Sequence, residues 1–315
     1  MKKYWFSLFL LTGLLLAGCA DHEAKSEDTK DEISAGLLVT ESGLGDDSFS
    51  DSAFKGLEQA RDELGITFDY REPFDKKYKE HMKDLIEQDH DVIIGLGYNS
   101  QAAIDELAQE YPKQQFVLID AVSEFDNVTS ITFKEDEGSY LIGLIAGMRT
   151  KSGVVGFIGG ERIPVVERFE TGFTEGVKKV NPDAEILIEY AGTFDDDTKG
   201  SNITKSMVEK GADFVFPAAG FTGIGALKEA QNQGIYAFGV DSDQFFVAEK
   251  AVVTSMLKNL DVALYDVMEQ LVNGERLEGG QITLGVKEQG VGLAPIRLIN
   301  LTDEQQAVLD KEMGQ

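Results

Sequence analysis

The segment LVTESGLGDDSFS, residues 38–50, decides the expected fold. Its first two residues are the end of an apolar run, Gly36 to Val39, that is typical of a buried strand. Two glycines and a carboxylate pair follow, and Ser48 or the carboxylate before it is placed to cap a helix. A strand, a polar glycine loop and a helix open an α/β sheet, in which ligands bind beyond the carboxyl ends of the strands. The segment therefore predicts either part of a binding site or an ordinary turn with solvated acids.

Beyond this unit, apolar strands alternate with amphipathic helices in two successive series, and the second series starts at Val154. Two such series predict an α/β fold of two doubly wound, Rossmann-like lobes joined by a hinge. A chain of 315 residues, 42% of them hydrophobic, has enough apolar material for two such cores. We expect one lobe to contain residues 35–150 and about 258–280, and the other to contain 151–257 and about 281–315.

The first residues have the pattern of a targeting segment. Residues 1–18 have a basic start followed by an apolar run from Trp5 to Ala17, which is too short to span a bilayer and is typical of a signal peptide. Cys19 is the only cysteine and follows small residues, so the site resembles a bacterial lipobox. This resemblance implies lipid attachment at Cys19 on the extracytoplasmic face of the cell membrane. The polar residues 19–34 predict a disordered tether.

Composition excludes several classes of function. A formal charge of −27 disfavours nucleic acid and anionic headgroups as partners. A single cysteine excludes an internal disulfide and a cysteine-based metal cluster, and the three histidines lack zinc-site spacing. The acidic run 195–197 lacks the alternating ligands of a calcium loop, and no Gly-x-Ser-x-Gly motif is present. We therefore expect no metal, no cofactor and no catalytic residue.

Polar, aromatic and glycine residues follow several of the predicted strands, and two lobes would bring them to one cleft. Carboxylates bind hydroxyl or amide donors, an aromatic face stacks on a planar ring, and glycine allows close approach of the backbone. Taken singly, each acid could be a solvated loop residue and each phenylalanine a core residue. The candidate ligand-binding residues are Glu41, Phe49, Ser50, Asp120, Phe216, Gly220, Asp241 and Lys258.

Six short motifs, in a fixed order behind the lipobox, resemble those of one known family. They lie within residues 45–50, 136–143, 159–182, 218–225, 239–244 and 254–258. The chain in this respect resembles the basic membrane protein family of bacterial lipoproteins, of the purine nucleoside receptor type. Members of that family are solute-binding proteins of ABC importers with the type I periplasmic-binding fold.

The resemblance implies that a nucleoside binds in the cleft. Phe49 and an aromatic residue near Phe216 would enclose the base, with Phe194 and Phe221 as alternatives for the second ring. The resemblance also implies that Asp120 and Ser50 bind the polar edge of the base. At the other end of the ligand, Gly220, Asp241 and Lys258 would hold the ribose.

The chain departs from the family pattern at two positions, with Glu41 where Asp is usual and Ser50 where Asn is usual. The expected function is a lipid-anchored, extracytoplasmic solute-binding protein that delivers a small molecule to ABC permease subunits, and the resemblance implies that this molecule is a nucleoside. One alternative is a surface sensor or regulatory lipoprotein of the same fold that binds a different small molecule. Another is an enzyme acting on nucleosides, for which the sequence offers no nucleophile and base pair.

Overall fold

The structure is a computed structural model that describes residues 32–314. The predicted signal peptide, residues 1–18, and the lipidation site Cys19 lie outside the described residues, as does most of the predicted tether. At its end the tether prediction is wrong, because Ser34 already begins the first strand. No helix within residues 32–314 combines the length and the apolar composition needed to cross a membrane.

The first sheet contains six strands, and every neighbouring pair is parallel. Its central strands are buried on both faces, which explains their continuous apolar sequences. In spatial order the strands are β2 (Thr67–Arg71), β1 (Ser34–Leu38), β3 (Val92–Leu96), β4 (Gln115–Ile119), β5 (Val128–Phe133) and β11 (Gly280–Leu284).

The second sheet repeats this arrangement with six strands, of which only the last, an edge strand, is antiparallel to its neighbour. In spatial order the strands are β7 (Glu185–Tyr190), β6 (Val154–Gly159), β8 (Phe214–Ala218), β9 (Tyr236–Asp241), β10 (Val252–Lys258) and β12 (Val291–Leu293).

Nine α-helices of residues 32–314 cover the two sheets. Those of the first sheet are α1 (Phe49–Leu64), α2 (Tyr78–Ile86), α3 (Gln101–Glu110) and α8 (Leu260–Val272). Those of the second sheet are α4 (Glu135–Arg149), α5 (Pro164–Val180), α6 (Asp197–Glu209), α7 (Gly220–Gln233) and α9 (Asp303–Glu312). Short 3-10 helices span Tyr98–Ser100 and Gln244–Val247.

The predicted fold class is confirmed: each sheet with its helices is one doubly wound lobe. In both lobes the chain starts at the second position of the sheet, adds one strand outward and then reverses direction. This reversal creates a topological switch point beside β1 in the first lobe and beside β6 in the second. Ligands of open α/β sheets bind at such points, beyond the carboxyl ends of the strands.

The lobe boundaries differ from the predicted ones in two places. Helix α4 was expected in the first lobe, but it packs against α5 and β10 of the second. Strand β11 was expected in the second lobe, but it pairs with β5 in the first sheet. Helix α4 begins directly after one passage of the chain between the lobes, and β11 ends directly before another. Neither passage leaves a signal in composition or loop length. The chain crosses three times, at Lys134, at Asn259 and within residues 285–290.

Hydrogen bonds join these three crossing segments to one another. The Lys134 amide donates to the Leu284 carbonyl at 2.9 Å, and the Asn259 amide donates to the Gly290 carbonyl at 2.8 Å. The Val286 amide donates to a carboxylate oxygen of Glu137 at 2.9 Å. The hinge therefore consists of three short connections that are hydrogen-bonded to one another or to the start of α4.

One local prediction also needs correction. Helix α1 is not capped by the Ser48 side chain; instead Asp46 accepts the amides of Ser48, Ser50 and Asp51 at its amino end. Most of the motif 218–225 is helical, because helix α7 already begins at Gly220. Strand β12 and helix α9, which the sequence analysis did not predict, complete the second lobe.

Helices α4 and α5 pack backbone to backbone at two glycines. A Cβ atom added to Gly143 would lie 2.2 Å from the Phe173 carbonyl oxygen, and one added to Gly176 would lie 2.1 Å from the Tyr140 carbonyl oxygen. Neither carbonyl can move aside as a side chain could, because each belongs to a helix. The close approach therefore requires glycine at both positions.

We expect Gly143→Ala to lower the free energy of unfolding by about 1–3 kcal/mol, because the added methyl group forces the two helices apart. Gly223→Ala is the matched control, since a Cβ there meets nothing closer than 3.5 Å. Alanine at that helical position should leave stability unchanged or raise it by up to about 1 kcal/mol. Urea denaturation measures both, and equal stability of the two variants would contradict the packing argument.

Candidate ligand-binding cleft

A cavity of about 810 Å³, its open mouth included, lies between the two lobes. The first lobe lines it with Thr40, Glu41, Ser42, Asp46, Phe49, Tyr78, Leu96, Gly97, Tyr98, Asn99 and Asp120. The second lobe lines it with Ile163, Val165, Val166, Phe169, Phe194, Ala218, Ala219, Gly220, Val240, Asp241 and Lys258.

The sheet topology explains which segments reach the cavity. The loops after β1 and β3 meet at the first switch point, and those after β6 and β8 meet at the second. Asp120 directly follows β4, while Asp241 and Lys258 end β9 and β10. Six of the eight predicted residues therefore line one cavity: Glu41, Phe49, Asp120, Gly220, Asp241 and Lys258.

Lys258 is the centre of a buried ion cluster. Its ammonium group lies 2.7 and 2.5 Å from the two carboxylate oxygens of Asp120 and 3.1 Å from a carboxylate oxygen of Glu135. The side chains of Lys258, Asp120 and Glu135 are 2%, 6% and 0% exposed. Arg168 adds a second cation, with its Nε 2.7 Å from Glu135.

The buried charges shift one another's protonation. Burial raises the pKa of Asp120 to about 6, and Lys258 opposes this rise. Burial likewise raises the pKa of Asp241, against the attraction of Lys258 and a hydrogen bond from Ser48. Burial alone would lower the pKa of Lys258, but the surrounding carboxylates outweigh it and raise that pKa. Lys258 is therefore a cation that opposes the effect of burial and favours the ionised forms of Asp120 and Asp241.

Aromatic rings enclose the same cation. The Lys258 ammonium lies 4.9 Å from the ring centre of Phe49, 5.0 Å from that of Phe133 and 5.9 Å from that of Phe169. Phe49 is the first residue of α1, and its ring lines the cavity from the first lobe. Phe169 and Phe194 line it from the second lobe.

The placement of Phe216 in the cleft is wrong. Its side chain is 0% exposed and packs against the rings of Phe157, Phe173 and Phe238 in the core. Strand β8 continues past Phe216 to Ala218, so the cavity meets the strand two residues after Phe216. Of the two alternatives, Phe194 lines the cavity, whereas Phe221 is absent from its lining and is 36% exposed.

Direct hydrogen bonds connect the lobes at the loop before α1. The Ser48 hydroxyl donates to the carboxylate of Asp241. The Asp47 carbonyl accepts from the Ser242 hydroxyl at 2.5 Å and from Gln244 Nε2 at 3.1 Å. The loop that leads into Phe49 is therefore held by the second lobe as well as by its own.

The carboxylate of Glu41 lines the cavity but is already bonded within the first lobe. It accepts hydrogen bonds from the hydroxyl of Tyr78, from Lys76 Nζ at 3.2 Å and from Asn99 Nδ2 at 3.1 Å. Burial and this bond to Glu41 raise the pKa of Tyr78. Glu41 thus positions Tyr78 and Asn99, which themselves line the cavity.

The placement of Ser50 in the cleft is also wrong. Its side chain is fully buried, and its Oγ lies 3.0 Å from Thr40 Oγ1. Successive residues of a helix point about 100° apart, so Ser50 faces inward where Phe49 faces the cavity. Asp46, which was not predicted, does line the cavity, and burial raises its pKa to about 7.

Gly220 lines the cavity where helix α7 begins, and its φ of +54° is a conformation that side chains rarely adopt. The sequence analysis did not select Glu135, Arg168, Phe169 or Ser42. Phe169 lay inside a motif already noted, and its position on the amphipathic face of α5 could have identified it. Glu135 and Arg168 give no local signal, because only the packing of α4 and α5 within the second lobe brings them together beside Lys258.

Comparison with known proteins agrees with this arrangement. The family model Bmp, described as ABC transporter substrate-binding protein PnrA-like, matches residues 33–314. The chain is 35% identical over 316 residues to an uncharacterized lipoprotein of Pyrococcus abyssi, with 93% of this chain and 77% of that protein covered. It is 31% identical over 324 residues to the ABC transporter nucleoside-binding protein BmpA of Lactococcus lactis, covering 95% of this chain and 91% of that protein.

Among solved structures, the fold is similar to a solute-binding protein of an ABC transporter system from Aeropyrum pernix K1. The two share a TM-score of 0.82 and 27% sequence identity, over 90% of each chain.

Lys258→Met should make the stability of the protein depend more steeply on pH. Without the cation, the buried carboxylates of Asp120 and Asp241 have higher pKa values in the folded state than in the unfolded chain, where aspartates titrate near about 4. The folded variant then holds protons that the unfolded chain releases, so its stability falls as pH rises. Relative to the unchanged protein, we expect a loss of about 3–5 kcal/mol at neutral pH and less near pH ~4.

Urea denaturation between pH ~4 and ~8 measures this difference, and Lys55→Met is the control. Lys55 pairs with Asp261 at 2.6 Å, but its side chain is 70% exposed, so its loss should be small and independent of pH. A pH-independent loss for Lys258→Met would contradict the role of the cation.

Proposed function

Since this chain belongs to the Bmp family of PnrA-like ABC transporter substrate-binding proteins, we propose that it binds a nucleoside between its lobes and delivers it to the permease of an importer. The observation that carries the proposal is the buried Lys258 cluster, which places two carboxylates and an ammonium group beside an aromatic wall. These groups suit a ligand with hydroxyls at one end and a planar ring at the other. BmpA of Lactococcus lactis, by its description, binds nucleosides.

The ribose end of such a ligand matches the charged part of the cleft. Ribose hydroxyls can donate to the carboxylates of Asp120 and Asp241 and accept from the ammonium of Lys258. This assignment moves Asp120 from the polar edge of the base, its expected place, to the ribose, because both of its carboxylate oxygens are paired with Lys258. Charge-assisted bonds of this kind are stronger than neutral ones, and burial strengthens them further. The backbone at Gly220 can approach the sugar closely, because no side chain stands in between.

The base end matches the apolar and aromatic part. Phe49 lines the cavity from the first lobe, and Phe169, Phe194 and the aliphatic residues Val165 and Val166 line it from the second. A planar base between the two lobes would gain stacking on an aromatic face and burial of its own surface. Because the two walls belong to different lobes, the ligand would stabilise the closed arrangement of the lobes.

We further propose that Cys19 carries the lipid that anchors the protein to the extracytoplasmic face of the cell membrane. The support is the lipobox-like sequence at residues 16–19 and the lipoprotein description of the Pyrococcus abyssi relative. The protein would then act as a binding subunit without catalysis, held near permease subunits in the same membrane.

Asp241→Asn should weaken nucleoside binding by about 10-fold to 100-fold, because charged hydrogen bonds contribute about 1.5–3 kcal/mol. Asp183→Asn is the control, since it makes the same change in an exposed turn before β7, at the opposite end of the strand from the cleft. Isothermal titration of the purified protein with adenosine, inosine, guanosine, cytidine and uridine measures both. If the unchanged protein binds none of the five, the proposed ligand class is wrong.

Phe49→Ala should lower affinity for the same nucleosides by about 5-fold to 100-fold, because stacking of a base on an aromatic ring contributes about 1–3 kcal/mol. Phe216→Leu should instead lower the free energy of unfolding and leave affinity nearly unchanged, because that ring lies in the core. Titration and urea denaturation of both variants separate the two roles. The reverse outcome, with affinity lost in Phe216→Leu, would restore Phe216 as the stacking residue.

A further inference from the structure

Ser42 carries a hydroxyl group for which the protein provides no partner. The residue lines the cavity, directly after Glu41 in the loop that follows β1. Its Oγ is buried and has no hydrogen-bond partner among the described residues. Buried polar atoms nearly always have a partner, because leaving one unpaired costs its full desolvation energy. A partner supplied by the ligand would remove that cost.

Ser42 differs in position from the other unpartnered atoms. Within residues 32–314, the remaining buried side-chain atoms without a hydrogen bond belong to His90, Glu135, Ser139, Arg149 and Thr174. None of those five residues lines the cavity. Glu135 in addition has Lys258 at 3.1 Å as an ionic partner. Ser42 therefore combines an unused hydroxyl with a place at the binding site.

The neighbouring polar side chains on the same loop are already engaged. The Glu41 carboxylate accepts three hydrogen bonds, and Thr40 Oγ1 is paired with Ser50 Oγ. Asp46 accepts three backbone amides at the start of α1. Among the polar residues of the segment 40–50 that line the cavity, Ser42 is thus the one whose side chain remains available to a ligand.

The sheet geometry separates Ser42 from the charged end of the cleft. Ser42 follows β1, and Asp120 follows β4, which lies two strand positions away in the first sheet. Neighbouring strands are about 4.8 Å apart, so the carboxyl ends of β1 and β4 lie about 10 Å apart along the sheet. A ligand whose ribose lies at Asp120 and Lys258 would present its base toward Ser42.

We propose that the Ser42 hydroxyl is the ligand contact that binds the polar edge of the base, the role expected of Ser50. This inference rests on the proposed function, because it presumes a nucleoside in the cleft. A hydroxyl both donates and accepts, so it pairs with a ring nitrogen, a carbonyl or an amino group but not with a carbon edge. Glu41 acts indirectly, as a positioning residue for Tyr78 and Asn99.

Ser42→Ala tests the contact with two separate measurements on the purified protein. Isothermal titration with adenosine, inosine and guanosine should show affinity for the tightest binder reduced about 5-fold to 10-fold, the value of one neutral hydrogen bond. Thermal unfolding without nucleoside should show stability unchanged or raised, because the removed hydroxyl has no protein partner. A structural serine would lose stability instead.

Ser50→Ala is the matched control. Its hydroxyl is paired with Thr40 and absent from the cavity lining, so we expect lower stability and unchanged affinity. If Ser42→Ala behaves like Ser50→Ala, the proposal is overturned.

Analogues of the tightest nucleoside then identify the contacted atom. In each analogue one ring nitrogen is replaced by carbon, or one exocyclic group by hydrogen. One analogue should bind Ser42→Ala and the unchanged protein equally, because its polar atom is already missing. If Ser42→Ala binds every analogue more weakly than the unchanged protein does, and by the same factor, the hydroxyl does not contact the base and the proposal is overturned. Absence of binding by the unchanged protein would overturn the proposed function, and this inference with it.

Discussion

The pairing of the Lys258 ammonium with the buried acids is the interaction on which the cleft depends. Two buried carboxylates at its sides would be costly alone, because transfer of an ion out of water costs several kcal/mol. Lys258 compensates both, since it lies 2.5 Å from Asp120 and 3.1 Å from Glu135. Lys258 ends β10 just before one crossing, and Glu135 begins α4 just after another. The ion cluster therefore joins the hinge to the binding site, and a ligand that binds these charges acts on both.

Unusual backbone conformations occur at the cleft. Asp47, Asp120 and Asp241 all have positive φ angles, of 46°, 66° and 63°. Such angles are uncommon for residues other than glycine, and Asp is among the side chains that tolerate them best. Each of these residues lies at the loop before α1 or at the carboxyl end of a strand, and two of them bear carboxylates that line the cavity. The strained positions thus coincide with the candidate site, as is common where geometry serves binding.

The two lobes contribute unequal kinds of interaction. The first lobe supplies a polar loop whose hydrogen bonds are mostly satisfied internally, through Glu41 and Asp46. The second lobe supplies an apolar wall from α5, together with Asp241 and Lys258 from two adjacent strands. Because the groups for a ring and for hydroxyls are divided between lobes, neither lobe alone forms the complete site. Binding and closure of the lobes are consequently one event in energetic terms.

The sequence by itself determined the fold class and much of the cavity lining, because strand ends are recognisable and parallel strands bring their carboxyl ends together. Phe49, Asp120, Gly220, Asp241 and Lys258 were all found in this way. Tertiary structure decided which neighbouring residue faces the cavity. Strand β8 runs two residues further than its apolar core, which puts Phe216 in the interior, and the rotation of α1 turns Ser50 inward. The pairing of Lys258 with Glu135, and the unpaired hydroxyl of Ser42, depend on contacts between segments distant in sequence that no local pattern records.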